Sequence, residues 1–193
     1  ENNKINFTIT LEELPKQFVE RINIMGNNIT RENVLRNNLV LDEGDAFNKI
    51  LHNKSLNNLK SLNFFKSVES EILDSEVEGK KIININVEEK PTGEISAGAG
   101  VGTSGGTVGF GVKENNFLGR GIEFASNLDV TDESIRGKFT LTNPNYRGMD
   151  RKLFAGAQSS ETDRMTAFGY KTTKTGFNLG TSFEYYEDFY VAP

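Results

Sequence analysis

The chain has 193 residues, a formal net charge of −5, one histidine and no cysteine. Those numbers exclude disulfides, thiolate metal sites and a cysteine nucleophile, and 22 Lys and Arg against 27 Asp and Glu offer no basic block for nucleic acid. No run approaches eighteen apolar residues, so no membrane-crossing helix is predicted; the mean hydropathy of −0.48 still suits a barrel whose strands alternate apolar with polar residues.

The sequence opens at Glu1 without an initiator methionine and stops at Tyr190-Val191-Ala192-Pro193, and it reads as an excerpt of a longer protein. Ile5, Phe7, Ile9 and Leu11 alternate with polar residues, which predicts a strand over residues 4–11 that Leu14-Pro15 ends. Residues 18–25 read as a second strand with Phe18, Ile22 and Ile24 on one face, followed by a turn at Gly26-Asn27-Asn28. Thr30 is the predicted N-cap of a short helix reaching about Asn38. Asp42-Glu43-Gly44-Asp45 lacks the alternating oxygen ligands and distal glutamate of a calcium loop, so it reads as a solvated loop. A longer helix is predicted over residues 46–62, with Phe47, Leu51, Leu59 and Leu62 on one side of its wheel. Residues 68–73 and 81–88 read as strands, the latter setting Ile83, Ile85 and Val87 opposite Asn84, Asn86 and Glu88. The order β-α-α-β-β predicts one small sheet with both helices on one face.

Three of the 19 glycines precede Pro91 and the rest follow it, so a domain boundary is expected near Glu89-Lys90-Pro91-Thr92-Gly93. Beyond it the chain reads as strand throughout. Residues 94–102 set Ile95, Ala97, Ala99 and Val101 opposite Glu94, Ser96 and glycines. Residues 107–115, 121–130 and 134–143 repeat the alternation with Val108, Phe110 and Val112, then Ile122, Phe124, Leu128 and Val130, then Ile135, Phe139 and Leu141. Residues 152–160 and 173–186 continue it, the last with Phe177, Leu179, Phe183 and Tyr185 on the apolar face.

Alternation alone leaves two solvents open for that face. In a soluble sandwich it meets a second sheet; in a membrane barrel it meets lipid. Three features favour lipid. The segments match the about 9–11 residues that a tilted strand needs to cross a bilayer. Phe117, Tyr146, Tyr185, Tyr186, Phe189 and Tyr190 flank one set of hairpin ends, whereas the ends at residues 103–106, 131–133 and 161–172 read as mostly polar, a one-sided aromatic girdle. Ala97, Ala99 and the glycines make a face too thin to fill a protein core.

Covalent chemistry finds no support. His52 lies amid Asn53, Lys54 and Ser55 and reads as solvated or capping. Gly98-x-Gly100 lacks the lysine and helix of a phosphate loop, and no nucleophile–base pair is evident. No catalytic residue, cofactor or metal is expected. Arg136 and Lys138 opposite Glu123 and Asp129 read as lumenal charges in mutual compensation.

Six stretches then resemble one superfamily, in order and over nearly the whole chain. Ile22-Asn23-Ile24-Met25-Gly26-Asn27 with its β-α-α-β-β order, and Leu62-Asn63-Phe64-Phe65-Lys66-Ser67-Val68, resemble a POTRA domain. Val87-Glu88-Glu89-Lys90-Pro91 is similar to the end of a last POTRA domain. Gly98-x-Gly100-x-Gly102, Asn116-Phe117-Leu118-Gly119-Arg120-Gly121 and Thr142-Asn143-Pro144-Asn145-Tyr146 resemble the first strands of POTRA-bearing outer-membrane barrels, in the branch that folds and inserts other barrels. The resemblance implies an α+β POTRA domain followed by antiparallel strands of a transmembrane β-barrel. Residues 1–15 would end a preceding POTRA domain, 16–91 form the POTRA domain, and 92–193 form the first barrel strands. It further implies a periplasmic POTRA domain, a barrel in the outer membrane of a Gram-negative bacterium, and no enzyme activity. The implied partners are unfolded outer-membrane proteins, periplasmic chaperones, assembly lipoproteins and outer-membrane lipid. A secretion pore of the same superfamily and a passive porin are the alternatives.

On that resemblance the glycines gain a role. The first barrel strand closes the barrel, and Gly98, Gly100 and Gly102 would loosen it. Ile95, Ser96, Ala97, Gly98, Ala99, Gly100 and Val101 then form a candidate template on which an incoming client strand pairs. Barrel curvature or close lumenal packing is the competing reason for the same glycines.

Overall fold

The computed structural model describes residues 15–102, 105–148, 151–186 and 189–192. The strand expected over residues 4–11 and the ending at 187–188 lie outside the described residues, as do Thr103 and Ser104 of the first hairpin.

The first sheet has three strands. β1 (Phe18–Met25) is parallel to the central β3 (Lys80–Glu89), and β2 (Phe65–Asp74) is antiparallel to it. Two helices, α1 (Glu32–Arg36) and α2 (Lys49–Ser61), cross between β1 and β2. The predicted alternation in β3 holds: Ile83, Ile85 and Val87 join Val19, Ile22, Leu35, Leu59 and Val68 in one core. Asn48 caps α2, its side-chain oxygen accepting from Ile50 N at 2.8 Å and Leu51 N at 3.3 Å. That is why the helix starts later than residue 46.

Three expectations change here. A register shift between Val19 and Arg21 turns Val19 into the core and leaves Phe18 half-exposed. Thr30 does not cap α1; Arg31 stands at that position, and the Thr30 side chain is spent on a contact described below. Glu43 is no bystander in a solvated loop, since its carboxylate accepts from Ile22 N at 2.9 Å where β1 is irregular.

His52 also departs from its expected place. It is 4% exposed, against Phe47, and its Nε2 lies 3.1 Å from Ser70 Oγ on β2. Desolvation pushes its pKa below the ordinary 6.5. The unfolded chain therefore takes up the proton first, and stability that is intact above pH 6.5 falls as pH drops from there toward the folded value. Thermal melts of the chain in micelles, followed by circular dichroism, are expected to lose melting temperature below pH 6.5; His52→Gln is expected to flatten that limb. An unchanged slope in the variant would remove His52 from the account.

The second sheet is antiparallel and open, in the order β10-β9-β8-β7-β6-β5-β4. Its strands are β4 (Gly93–Gly102), β5 (Gly105–Phe117), β6 (Ile122–Thr131), β7 (Ser134–Asn143), β8 (Arg151–Arg164), β9 (Tyr170–Tyr186) and the short β10 (Phe189–Val191). Six long strands match the six predicted. Registers such as Phe110↔Leu128 and Phe124↔Leu141 keep the apolar residues on one face. No second layer covers that face: every buried hydrophobic side chain among the described residues belongs to the first sheet with its helices and loops, while Ile95, Val101 and Phe177 are largely exposed. A sandwich formed within the described residues would have buried them.

The aromatic girdle is not one-sided. A short helix, α3 (Met165–Phe168), brings Phe168 within 6.4 Å of Tyr170 between ring centroids, at the end of the sheet away from the first domain. On the polar face Asp129 lies opposite Arg136, whereas Lys138 faces Asn127 and Glu123 faces Thr142. Only one of the expected charge pairings is a register pair.

Candidate functional site

β4 is the edge of the sheet. It pairs with β5 through Ile95↔Val112, Ala97↔Phe110, Gly98↔Gly109 and Gly100↔Thr107, and no strand lies on its outer side among the described residues. In an antiparallel pair, alternate residues direct both backbone groups to the partner and the others direct both away. Among the described residues the outward set on β4 is therefore unpaired. All ten β4 residues are exposed. Ile95, Ala97, Ala99 and Val101 lie on the apolar face, and Ser96, Gly98 and Gly100 on the polar one.

The glycines divide into two kinds. A Cβ added at Gly98, Gly100 or Gly102 meets nothing within 4 Å, so nothing in this chain requires their absence of side chain. On β5 the reason is space. A Cβ at Gly111 would stand 2.6 Å from Ser96 Oγ and 2.8 Å from Asn127 Oδ1, and one at Gly109 would stand 3.0 Å from Asp129 Oδ1. Gly156 makes the same room for Asn178, and Gly180 for the Phe154 ring. Close lumenal packing accounts for glycines in β5, β8 and β9, while those of β4 meet no such neighbour among the described residues.

The foot of β4 is fastened. Thr92 Oγ1 donates to Glu114, while Asn115 donates to the Thr92 carbonyl from N at 3.3 Å and from Nδ2 at 3.2 Å. The turn after β5 is fastened in its own right to the first domain. Asn116, 6% exposed, donates from Nδ2 to Thr30 Oγ1 at 2.8 Å and accepts at Oδ1 from Gly121 N at 2.8 Å. Arg31 N donates to the Gly119 carbonyl at 2.8 Å. Gly119 has φ +68 and lies so close that a Cβ there would overlap the Ile29 carbonyl oxygen.

The loop on the other side of this junction is held by Glu89. Its Oε2 accepts from Asn28 N and Ile29 N at 2.9 Å each, and its Oε1 from Thr30 N at 2.6 Å. Desolvation raises the Glu89 pKa, but the hydrogen bonds from Thr30, Ile29 and Asn28 outweigh it and hold the carboxyl below its ordinary range. That contribution is present above the ordinary carboxylate pKa and is lost as pH falls through the folded value.

Sequence reasoning named the template residues and missed this junction. Asn116 and Gly119 were visible only as parts of a motif; their partners Thr30 and Ile29 are nearly ninety residues away. The signal that points to them is Gly-x-Gly two residues after an Asn-Asn pair, a turn chemistry with positive φ at Gly119 and Gly121. Among the described residues no cluster of three or more His, Asp or Glu could hold a metal ion.

Residues 17–90 match the POTRA family, a surface antigen variable number repeat. The chain is 27% identical over 158 residues to the outer membrane protein assembly factor BamA of Neorickettsia risticii, a match that covers 81% of this chain and 21% of that protein. It is 24% identical over 188 residues to BamA of Neisseria meningitidis serogroup B, covering 94% of this chain and 24% of that protein. BamA from Haemophilus ducreyi lacking POTRA domains 1–3 has the same fold, with a TM-score of 0.78 at 23% identity over 89% of this chain and 33% of that one. CdiB from Acinetobacter baumannii shares the fold with a TM-score of 0.56 at 15% identity, over 86% and 34% of the two chains. The chain thus spans between 21% and 24% of the two BamA sequences.

The fold defines a POTRA-bearing outer-membrane barrel protein, with the α+β domain in the periplasm and the seven-stranded sheet in the outer membrane. Within that class the chain is similar to BamA proteins over both its POTRA domain and its first barrel strands.

Proposed function

We propose that this chain takes part in folding and inserting outer-membrane β-barrel proteins, with residues 95–101 of β4 as the template for a client strand. On this reading residues 16–91 are the POTRA domain and 92–193 the barrel strands. Unfolded outer-membrane proteins are the clients, and periplasmic chaperones and assembly lipoproteins deliver them or dock. The work needs no covalent chemistry. Free energy comes from strand pairing and from burial of the client's apolar face in lipid.

One observation carries the reading. β4 is the edge of the sheet formed by the described residues, and it carries Gly98, Gly100 and Gly102, whose lack of side chains weakens the strand. The relatives named as outer membrane protein assembly factors support it. The fold shared with CdiB favours a second reading, a secretion pore of the same architecture.

The chain has no cysteine, so an introduced one is unique. Ala97→Cys or Ala99→Cys, mixed with a client carrying one cysteine in its terminal strand, is expected to form a disulfide at one register. Opposed residues in a sheet bring Cβ atoms to about 4.5–5.5 Å, close to what a disulfide needs. Absence of the cross-link at every register scanned would discard the template.

A further inference from the structure

Below the second sheet, between α1 and the periplasmic rim, lies a cleft of about 920 Å³. Its lining is unusual for this chain. Seven of its twenty lining residues are asparagine, against 22 of 193 overall. Arg31, Lys113, Arg120 and Arg147 line it against only Glu94 and Glu123, in a chain that is acidic as a whole. None of the three arginines enters an ion pair among the described residues. One more atom lacks a partner: Asn145 Oδ1 is buried and accepts no hydrogen bond.

We propose that this cleft holds an acidic, extended segment of another polypeptide. The site rests on the reading that the chain handles unfolded proteins, and it adds where, and with what chemistry, they are held. Asn38, Asn63, Asn115 and Asn143 each spend one side-chain atom inside the chain, and the amide donors and acceptors that remain complement a backbone N–H and C=O. An extended backbone is what such a lining fits without reading side-chain identity. The arginines add the charge preference, since planar guanidinium groups pair with carboxylates through two parallel bonds. The buried Asn145 oxygen separates a peptide from other anions. It requires a donor, which a backbone amide supplies and a fully ionised phosphate does not. The two walls belong to different domains, so the Asn116–Thr30 and Gly119–Arg31 contacts set the width of the cleft.

The test uses the full chain in detergent micelles and two fluorescent twelve-residue peptides, one alternating Ser and Glu, the other Ser and Lys, read by anisotropy. The acidic peptide is expected to bind more tightly. The double variant Arg31→Glu with Arg120→Glu is expected to weaken it about tenfold or more while strengthening the lysine peptide, a reversal that a merely unfolded variant does not give. Asn145→Leu is expected to weaken the acidic peptide by several-fold with melting unchanged. Equal binding of both peptides, or binding indifferent to the charge reversal, overturns the proposal. So does displacement of the acidic peptide by inorganic phosphate or by anionic lipid vesicles as readily as by unlabelled peptide. Peptide binding that persists when β4 cross-links fail counts against the template alone; β4 cross-links that persist without peptide binding count against this cleft alone.

Discussion

Gly119→Ala is expected to part the POTRA domain from the turn between β5 and β6. Gly119 sits at φ +68, where an L-residue costs roughly 1–2 kcal/mol. The larger effect is the overlap of the new Cβ with the Ile29 carbonyl oxygen. That neighbour is backbone, held in turn by the three hydrogen bonds to Glu89, and has no rotamer to retreat into. Separation removes the Arg31–Gly119 bond and strips the Thr30 hydroxyl of Asn116, and each buried polar group left unpaired costs about 1–3 kcal/mol. Together these span about 3–8 kcal/mol against the docked arrangement. Spin labels at Asn53 on α2 and Thr175 on β9 would read it as a distance distribution, narrow in the parent and broad in the variant. Gly169→Ala is the matched control, with φ +73 and open space around its Cβ, so it bears the conformational cost without the overlap. A distribution that stays narrow in Gly119→Ala would show that the junction does not set the domain orientation.

Phe110→Arg is expected to block insertion, while Asn127→Arg is tolerated. Phe110 lies on the apolar face opposite Ala97 and Leu128; Asn127 lies on the polar face opposite Gly111 and Lys138. A cation on the lipid side of a barrel costs about 2–4 kcal/mol near the bilayer midplane, and a lumenal one meets water. Folding yield in phosphatidylcholine vesicles, scored by heat-modifiable migration on a gel, measures the difference. Equal losses from the two variants would mean that hydrocarbon does not contact the Phe110 face, and the membrane reading would fall with it.

Strand alternation was the most legible part of the sequence. A period of two survives any register, so Ile83, Ile85 and Val87 could be placed on one face before their partners were known. The same holds for all six long strands of the second sheet. What failed to show depended on contacts distant in the chain. Phe18 and Val19 exchanged roles because a local irregularity in β1 flips every side chain beyond it. Thr30 has the composition of an N-cap, yet a better use for its hydroxyl lay across the junction at Asn116. His52 sits among polar neighbours in sequence, but α2 turns it toward Ser70 and away from water. The glycines of β4 and β5 look alike in a string of letters. Only the positions of Asn127 and Asp129 show that one set makes room and the other does not.

The hairpin formed by β4 and β5 is therefore asymmetric along its length. Its lower end is clamped by Thr92, Glu114 and Asn115, and its upper end is a run of bare backbone. A pull arriving through the periplasmic domain is therefore taken up first by the side-chain bonds of Thr92 and Asn115, and the glycine-rich stretch above them has only its backbone pairs to β5 to hold it in register.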